Sequence, residues 1–518
     1  MKNIIIAISL TVSMLVASAQ STDCRQSTNK FANVLYLIDS QYVDTTNINT
    51  LTEEAIVAML KKLDPHSAYI PKKDVAKMNE SLQGSFEGIG AAFQIIRDTI
   101  VITEPIMDGP AEKMGLQRGD RIISIDGETS CGKFVNTDFV TSHLRGKKGT
   151  VVNVEIVRNG IGKPFEVRIV RGKIPIKSVN VYFMLDEKTG YIKLDRFAKD
   201  SYNEVVKALR ELQKEGCRSL VFDLRSNGGG LLNVAVDICS IFLPKHSDVV
   251  YTQGVHSRKT FIRTEHEPVF PDGKLIVLID EHSASASEIV AGTIQDWDRG
   301  TIVGRRSFGK GLVQKPYNLT DGSQIRLTVS RYYTPSGRCI QRPYDNGTDY
   351  YLEDGRHRAE NGELFHADSI HFADSLKYET LVERRIVYGG GGIMPDIFIP
   401  ADTSQSSKLF TELSKKLIFN NFSIDYIEEH KDFLNKKFSK YDIFDSKFEV
   451  NDEVISGFRS YAEKEGVQWD DEQFGHSRII IENRIKALIA RALFGTAAYY
   501  ETVLQEDDVL NKVKNEIL

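Results

Sequence analysis

The sequence predicts an α/β protein with a largely parallel sheet, an inserted β-rich domain and helical regions at both ends. Apolar strands alternate with amphipathic helices between residues 190 and 304, an order that favours a parallel sheet with crossover helices. Residues 84–171 instead contain short strands separated by glycine turns, with one brief helix expected from Pro110. Residues 25–80 and 403–518 carry apolar residues at helical spacing, among them Ile481, Ile485 and Ile489. Residues 341–380 are polar and aromatic, and we expect an irregular insertion there. The 518 residues suffice for about three domains.

Composition excludes several classes of protein. Hydrophobic residues make up 41% of the chain and charged residues 26%, as expected of a globular protein with a sizeable core. The net charge of −5 gives no basic footprint for nucleic acid. The five cysteines form no CxxC pair or His/Cys cluster, so no metal site is predicted. One disulfide is compatible with their number, but we expect Cys217 and Cys239 to be buried thiols.

The N-terminus has the pattern of a secretory signal peptide, residues 1–19. Lys2 precedes an apolar stretch from Ile4 to Val16, and Ala17-Ser18-Ala19 provides a cleavage site. We therefore predict export; an uncleaved leader, which would leave the protein membrane-associated, is the alternative. Cys24 follows Ser-Thr-Asp rather than an apolar stretch, so lipid attachment is not indicated.

A helical N-terminal region is predicted over residues 20–83. Two apolar faces at helical spacing support it, one starting at Phe31 and the other at Leu51.

The β-rich domain, residues 84–172, resembles a PDZ domain. Its strands include Ala92–Ile96 and a run from Arg121 to Ile125 that glycine turns precede and follow. In PDZ domains, the amides of a glycine-containing loop hold the C-terminal carboxylate of a peptide that adds a strand to the sheet edge. The resemblance assigns that loop to Gly88, Ile89, Gly90 and Ala91. The simpler alternative is a hairpin turn that needs glycine for its backbone angles.

The α/β core, residues 173–400, contains a glycine-rich turn between a strand and a helix. The strand Ser219–Leu224 leads to Asn227-Gly228-Gly229-Gly230, and a helix from Leu231 to about Phe242 follows. Such a turn could hold a phosphate, but neither the P-loop lysine spacing nor GxGxxG is present. No nucleotide or other cofactor is therefore predicted.

A second strand–helix joint carries three serines. The apolar strand Leu275–Ile279 is followed by Ser283, Ser285 and Ser287, and a helical pattern starts there. The unpaired N–H groups of a helix N-terminus favour a developing oxyanion. A further strand, Thr301–Gly304, leads to a lysine flanked by glycines, Lys310.

Serine and lysine form a coherent catalytic pair. A hydroxyl becomes a good nucleophile when a base takes its proton, and a lysine does so if burial keeps its amine neutral. Spacing alone leaves all three serines open; Ser285, nearest the expected N-cap, is our choice, with the amide of Ala286 as an oxyanion donor. The alternative is a capping serine beside a surface lysine.

This segment resembles the carboxy-terminal processing peptidases, also called tail-specific proteases. The shared motifs are Ser-Ala-Ser-Ala-Ser-Glu, Gln-Asp, and Phe-Gly-Lys-Gly with a glutamine four residues after the lysine, and the resemblance extends over residues 51–400. It implies that Ser285 is the nucleophile, Lys310 the general base and Gln314 the residue that orients the lysine. It gives Asp296 a structural position and assigns the other oxyanion donor to Gly230, with Gly229 as the alternative.

The resemblance also carries expectations for the whole protein. It implies a core with crotonase- or Clp-protease-like layers, no cofactor, and peptide hydrolysis through an acyl-enzyme. The expected partners are proteins or peptides with free C-termini. The signal peptide, rather than the resemblance, makes the periplasm the expected location. Residues 401–518 match no chemistry; an accessory or homodimer-forming helical region is our hypothesis, and an adaptor protein is a further one.

Other classes of function compete with this interpretation. Ser307 and Lys310 match S-x-x-K of penicillin-binding enzymes, but glycines beside the lysine disfavour the helix which that motif needs. His282 offers a Ser–His pair, yet it lies too near Ser285 in sequence to face its hydroxyl well. G-x-S-x-G is absent around Ser285, which disfavours an α/β-hydrolase. A catalytically silent peptide-binding scaffold and an acyl-CoA enzyme are the remaining alternatives.

Overall fold

The computed structural model describes residues 22–517, which divide into two compact units. One unit comprises the chain up to Pro71 together with Pro316–Leu327, and the other comprises Lys72–Lys315 and the chain from Thr328 onward. The predicted signal peptide lies outside the described residues.

The first unit is helical, as the sequence predicts for this region. It contains α1 (Thr22–Gln41), α2 (Ile48–Lys61) and the short strand β1 (Ala68–Ile70). Asn47 caps α2, because its side chain accepts a hydrogen bond from the amide of Thr50. β1 pairs antiparallel with residues 324–326.

The β-rich domain follows helix α3 (Lys72–Gln83) and is a mixed assembly of strands and two short helices. Strand β2 (Ser85–Gly88) leads into it and β9 (Gly172–Pro175) leads out, and these two strands pair with each other. Between them, five strands form an antiparallel sheet in the order β3-β4-β5-β7-β8, and β6 pairs with β5. The strands are β3 (Ala91–Ile96), β4 (Thr99–Pro105), β5 (Arg121–Ile125), β6 (Glu128–Thr129), β7 (Val151–Val157) and β8 (Phe165–Val170).

One helix of this domain escaped the sequence analysis, which expected a single helix. Besides α4 (Pro110–Lys113), the domain contains α5 (Thr137–Leu144), which buries Val140 and Leu144 in the domain core. The sequence of α5 is polar and only eight residues long, too short for a helical period to stand out.

A six-stranded sheet in the order β10-β11-β12-β15-β16-β21 forms the α/β core. The strands β11 to β21 of this sheet are parallel, and only β10 at one edge runs antiparallel. The largely parallel sheet is thus as predicted. The strands are β10 (Val179–Met184), β11 (Thr189–Leu194), β12 (Ser219–Asp223), β15 (Lys274–Ile279), β16 (Thr301–Gly304) and β21 (Ile397–Phe398).

Helices and the C-terminal end of the chain cover this sheet through two separate hydrophobic clusters. The larger cluster joins the sheet to α6 (Ser201–Lys214), α7 (Leu232–Phe242) and α8 (Ala286–Asp296). The smaller cluster joins sheet residues such as Tyr191 and Ile276 to Leu510 near the C-terminus. Because successive strand residues point to opposite faces, the two clusters correspond to the two faces of the sheet.

Further strands lie outside these two sheets, and two of them, β17 (Leu312–Asn318) and β18 (Gln324–Tyr333), contain residues of both units. The hairpin β13 (Asp248–Gly254) and β14 (Ser257–Arg263) pairs with residues 331–333, the end of β18. The remaining strands are β19 (Lys377–Glu379) and β20 (Ile386–Tyr388).

Residues 341–380, expected to be irregular, contain two short helices. These are α9 (Thr348–Leu352) and α10 (Asp354–Glu360). The expectation was wrong there because long-range contacts stabilise α10: buried Arg358 donates hydrogen bonds to the carbonyls of Arg306 and Ser307.

The C-terminal region is helical, as predicted. An aromatic-rich cluster packs α11 to α15 together, and the predicted apolar residues Ile481, Ile485 and Ile489 of α15 are fully buried in it. The helices are α11 (Lys408–Lys415), α12 (Ile418–Lys437), α13 (Tyr441–Lys447), α14 (Asp452–Lys464), α15 (Asp471–Phe494), α16 (Thr496–Val503) and α17 (Asp508–Lys512).

Two further findings concern the cysteines and the hydropathy of the helices. Cys217 and Cys239 are buried free thiols, as expected, and burial raises the pKa of Cys239 to about 12. Within residues 22–517, each helix is too short or too polar to cross a membrane.

Candidate active site

Ser285 occupies a strained turn between β15 and α8. Its φ of 57° lies in the left-handed region that non-glycine residues seldom adopt, at a cost of about 1–3 kcal/mol. Such strain persists where the surroundings over-determine it, and it is concentrated at functional sites. The residue is half-buried, and the helix starts at the next residue, Ala286.

The structure distinguishes the three serines of the motif. Ser283 and Ser287 are fully buried, and their hydroxyls donate hydrogen bonds of 2.8 Å to the backbone carbonyls of Leu224 and Asn227. These two hydroxyls hold the neighbouring glycine-rich turn in place. Ser285 is the member of the motif with partial exposure, as a nucleophile requires.

Buried Glu288 connects the Ser285 turn to the Lys310 segment. Its Oε2 accepts hydrogen bonds from the amides of Ser285 (2.8 Å) and Lys310 (2.9 Å). Its Oε1 accepts from the hydroxyl of Ser307 (2.5 Å) and the amide of Gly309 (2.6 Å). Burial raises the pKa of Glu288, and these four donors oppose that shift by stabilising the carboxylate. One oxygen atom therefore holds the backbones of Ser285 and Lys310 together.

Tyr332 links the same two residues through their carbonyls. Its hydroxyl lies 3.1 Å from the carbonyl oxygen of Ser285 and 2.8 Å from that of Lys310. Burial raises the pKa of Tyr332 well above its ordinary value, so the phenol keeps the proton that it donates to these carbonyls. Backbone amides and carbonyls of residues 285 and 310 are thus both fixed.

Lys310 is half-buried, and the side chain of the residue four positions later holds its terminal nitrogen. Nζ of Lys310 donates to Oε1 of Gln314 at 3.1 Å. The two residues predicted as base and orienting group are therefore in contact.

The glycine-rich turn lies against the Ser285 turn. The amide of Ala284 donates to the carbonyl of Asn227 at 3.0 Å. A Cβ added to Gly229 would lie 2.9 Å from the amide nitrogen of Ala286, which is too close for any side chain. Both predicted oxyanion donors, on residues 230 and 286, therefore belong to segments in direct contact.

The hydrogen bonds of Gly229 and Gly230 distinguish these two candidates for the second oxyanion donor. The amide of Gly229 donates to Oδ1 of Asn227 at 2.9 Å. Gly230 forms a parallel bridge with Phe197 that uses the carbonyl of Gly229 and the amide of Leu231. In such a bridge the two residues that flank Gly230 make the hydrogen bonds to Phe197, and the N–H of Gly230 itself points to the opposite side of the strand. The N–H of Gly230 therefore faces away from Phe197.

Asp296 is part of a buried polar network at the far end of α8. It is fully buried, accepts from the amide of Ser336 at 2.9 Å and pairs with buried Arg338 at 2.7 Å. These contacts hold the segment after β18 and place Asp296 away from the helix N-terminus at which Ser285 lies.

The predicted carboxylate-binding loop connects β2 to β3 in the β-rich domain. Ile89 is buried in the domain core, and Gly90 has a φ of 75°. The carbonyls of Ile89 and Gly90 accept from the amides of Ala111 and Ile106, which fix the loop. β3 follows directly and is an edge strand of its sheet.

Glu288 and Tyr332 were missed by the sequence analysis. Glu288 is the last residue of the Ser-Ala-Ser-Ala-Ser-Glu motif, so the motif held a signal for it. A capping box, with an acid three residues after the N-cap serine, is a second signal. Tyr332 lies 47 residues from Ser285, and no local pattern indicates its contact.

The competing arrangements do not fit the geometry. Ser307 and Lys310 lie outside any helix, and Ser307 is fully buried with its hydroxyl on Glu288. The side chain of His282 is 68% exposed, and its Nε2 lies 3.9 Å from Oε1 of Glu281. Within residues 22–517, no three His, Cys, Asp or Glu side chains cluster in a way that would hold a metal ion.

Models of known families match four segments of the chain. Residues 188–348 match peptidase family S41, residues 88–169 match the PDZ domain, and residues 9–74 match the activating protease CtpB N-terminal domain. Residues 409–495 match a family of unknown function.

Characterised relatives extend the match. The chain is 36% identical to the carboxy-terminal-processing protease of Bartonella bacilliformis over 63% of its own length and 77% of the relative's. It is also 36% identical to the carboxy-terminal processing protease CtpB of Bacillus subtilis, over 63% and 68% of the two chains. The solved photosystem II D1 C-terminal processing protease is 27% identical, with coverage of 60% and 89% and a TM-score of 0.35.

These matches define a serine peptidase of family S41. Within that class, the chain belongs to the carboxy-terminal processing peptidases that carry a PDZ domain.

Proposed function

We propose that the protein is an endopeptidase that cleaves peptide bonds with a serine–lysine dyad, Ser285 and Lys310. The observation that carries this proposal is the pair of bridges, through Glu288 and Tyr332, that hold the backbones of these two residues against each other. The strained, half-exposed turn at Ser285 and the contact of Lys310 with Gln314 also support it.

In the proposed reaction, the neutral amine of Lys310 takes the hydroxyl proton of Ser285 as the oxygen attacks the scissile carbonyl carbon. The tetrahedral intermediate then collapses, the C–N bond breaks, and the Lys310 ammonium gives its proton to the leaving amine. Water, with its proton passing to the amine of Lys310, hydrolyses the resulting acyl-enzyme and restores the serine. Gln314 orients the amine through the 3.1 Å hydrogen bond to Nζ.

The amides of Gly230 and Ala286 are the proposed oxyanion donors. Ala286 is the first residue of α8, and the first amides of a helix have no acceptor within it. The N–H of Gly230 points away from its bridge partner, whereas that of Gly229 is bonded to Asn227, which favours Gly230 over Gly229. Two such donors contribute about 3 kcal/mol or more each to stabilising the transition state.

We further propose that the PDZ domain binds the C-terminal tails of protein substrates. The loop Gly88–Ala91 would hold the tail carboxylate, and the tail would extend the sheet at the edge strand β3. The expected partners are therefore proteins or peptides with free C-termini. A homodimer formed through residues 401–518 remains a hypothesis, and an adaptor protein is a separate hypothesis about the partners of the enzyme.

The domain boundaries and the location of the protein complete the proposal. The pairing of β2 with β9 closes off the PDZ segment, which supports the division at residues 84 and 172. The sheet with a hydrophobic cluster on each face supports crotonase- or Clp-protease-like layers for the core at 173–400. Export by the signal at residues 1–19 would bring the enzyme to the periplasm.

Alanine variants test the dyad. Ser285→Ala and Lys310→Ala should each lower kcat/KM for a peptide substrate by at least about 10⁴-fold, because the nucleophile or its base is lost. His282→Ala and Lys315→Ala, which alter exposed neighbours of the two residues, serve as matched controls and should keep near-normal activity. Folding of every variant is verified by circular dichroism. Substantial turnover by folded Ser285→Ala or Lys310→Ala would contradict the dyad.

The tail proposal has a separate test. A peptide with a free C-terminal carboxylate should be cleaved with a kcat/KM at least about tenfold higher than the same peptide with a C-terminal amide, because the loop amides favour an anion. Equal values for the two peptides would contradict tail recognition and leave the dyad untouched.

A further inference from the structure

A cavity separates the PDZ domain from the C-terminal helices. Its volume of 470 Å³ lies in the range of small-molecule sites. Strands β3 and β4 line one side, and helices α12 and α15 line the other. The cavity is distinct from the proposed tail-binding loop, because neither Gly88–Ala91 nor any residue of α5 lines it.

Polar contacts beside the cavity fix its two walls. Arg97 pairs with Asp425 at 2.8 Å, and Arg121 pairs with Glu428 at 3.4 Å. Nη1 of Arg118 donates to the carbonyl of Arg491 at 3.1 Å. The PDZ domain and the C-terminal helices therefore meet through defined contacts, and the cavity lies within that interface.

The charge lining the cavity is unbalanced. Arg118, Lys431 and Arg491 line it, and none of them forms an ion pair with a carboxylate of residues 22–517. The other charged lining residues are matched: Arg158 with Asp120 at 2.7 Å, and Glu428 with Arg121. Burial lowers the pKa of Arg118 and the charge of Arg491 adds to that shift, whereas the charge of Glu104 opposes it without reversing it. The cavity therefore favours an anion.

Two further properties of the wall restrict the ligand. Ile424, Ile427 and Leu488 give the helical side an apolar surface. On the opposite side, Oε1 of Gln94 is buried with no hydrogen-bond partner in the described part of the chain. A buried acceptor without a donor costs about 1–3 kcal/mol, which a ligand N–H would recover.

We propose that this cavity binds a small amphiphilic carboxylate that also carries an amide N–H. The carboxylate lies between Arg118 and Arg491, the N–H donates to Gln94, and the apolar body packs on α12 and α15. Acylated amino acids and the carboxyl ends of short apolar peptides share this chemistry. A ligand there contacts both the PDZ domain and the C-terminal helices, and so stabilises their contact.

Calorimetric titration of the full-length Ser285→Ala protein tests the site, because this variant cannot cleave a peptide probe. N-octanoylglycine represents the acylated amino acids, and N-acetyl-Leu-Leu represents the carboxyl ends of short apolar peptides. Two further compounds are controls: decanoate lacks the amide N–H, and N-octanoylglycine amide lacks the negative charge. We expect at least one of the first two probes to bind with a Kd below about 1 mM. The probe that binds tighter identifies the source.

Variants locate the binding. Arg118→Gln and Arg491→Gln should each weaken the binding of the tighter probe by at least about tenfold, since each removes a charge-assisted contact. Arg97→Gln, which removes an ion pair of the same interface outside the cavity, is the matched control and should leave Kd within about threefold. If Arg118→Gln fails to fold, Arg118→Lys, which keeps the charge, replaces it and should retain binding while Arg491→Gln weakens it.

Gln94→Leu tests the contribution of the ligand N–H to binding separately from that of the ligand carboxylate. In this variant the advantage of N-octanoylglycine over decanoate should disappear, while both probes still bind. The proposal is overturned if neither first probe saturates the protein, if the uncharged amide binds as well as the acid, or if Arg97→Gln weakens binding as much as Arg118→Gln does.

Discussion

At the scale of single residues, the account depends on how Ser285 and Lys310 are held. The bridges through Glu288 and Tyr332 use both the amide and the carbonyl of each residue, so the backbone of neither can rotate without breaking a buried hydrogen bond. Positioning of this kind contributes to catalysis because reacting groups need no search for the productive geometry. We therefore propose Glu288 and Tyr332 as positioning residues of the proposed dyad.

Glu288→Gln tests this role. A glutamine keeps the shape of the side chain, but its NH₂ group would face two of the four groups that donate hydrogen bonds to the Glu288 carboxylate. Two donors then face each other, which pushes the Ser285 turn and the Lys310 segment apart. We expect kcat to fall by about 100-fold, equivalent to about 2.7 kcal/mol, with a smaller change in KM.

Glu281→Gln is the matched control for this variant. It changes the same residue type seven residues earlier in the chain, where the carboxylate pairs with Arg305 and lies 3.9 Å from His282. Its kcat should stay within about threefold of the parent value. A Glu288→Gln enzyme with normal kcat and normal stability would contradict the positioning role.

Local sequence patterns indicated several residues of the candidate site but not the contacts between residues far apart in the chain. Ser285, Lys310 and Gln314 belong to compact motifs, because a strand–helix joint and an i, i+4 contact are local in sequence. The contact of Glu288 with residues 307–310 and that of Tyr332 with Ser285 join segments about 20 to 50 residues apart. Periodicity and turn rules contain no information about such pairs.

At the scale of elements, apolar strands were easier to predict than short polar helices. The buried parallel strands β15 and β16 have uninterrupted apolar runs, and their bounds agree with the prediction within one residue. Helices α5, α9 and α10 have eight residues or fewer, and tertiary contacts such as those of Arg358 decide their existence.

Helix α16 carries a carboxyl group whose titration should affect stability. Burial and the charges of Asp442 and Asp445 raise the pKa of Glu501 to about 7. Since the folded protein binds this proton more tightly than the unfolded chain, stability falls as the pH rises from about 4.5 to about 7 and stays low above that range.

Glu501→Gln should therefore stabilise the protein at pH 8 and leave its stability unchanged near pH 4. The expected gain in the free energy of unfolding at pH 8 is about 1 kcal/mol, allowing for partial solvent screening. Thermal unfolding at both pH values measures it, with Glu449→Gln, at an exposed position, as the control. A stabilisation equal at the two pH values, or none at pH 8, would contradict the raised pKa.

At the scale of the whole molecule, contacts between distant parts of the chain determine the environment of the core. Asp507, near the C-terminus, pairs with Arg225 at 2.9 Å, and Arg225 directly precedes the turn that contains Gly230. Leu504 and Leu510 pack in the same cluster as the central strands of the sheet. The sequence predicted helices here but not their docking on the core, because helical periodicity indicates an apolar face and not its partner.

The central claim is that the hydroxyl of Ser285 is activated by Lys310. Its most direct test is to treat the protein with a fluorophosphonate and to identify the modified residue by peptide mass spectrometry. The account predicts one adduct, on the peptide that contains Ser285, and at least about 100-fold slower labelling of folded Lys310→Ala. An adduct on a different serine, or labelling of Lys310→Ala at the rate of the parent enzyme, would contradict it.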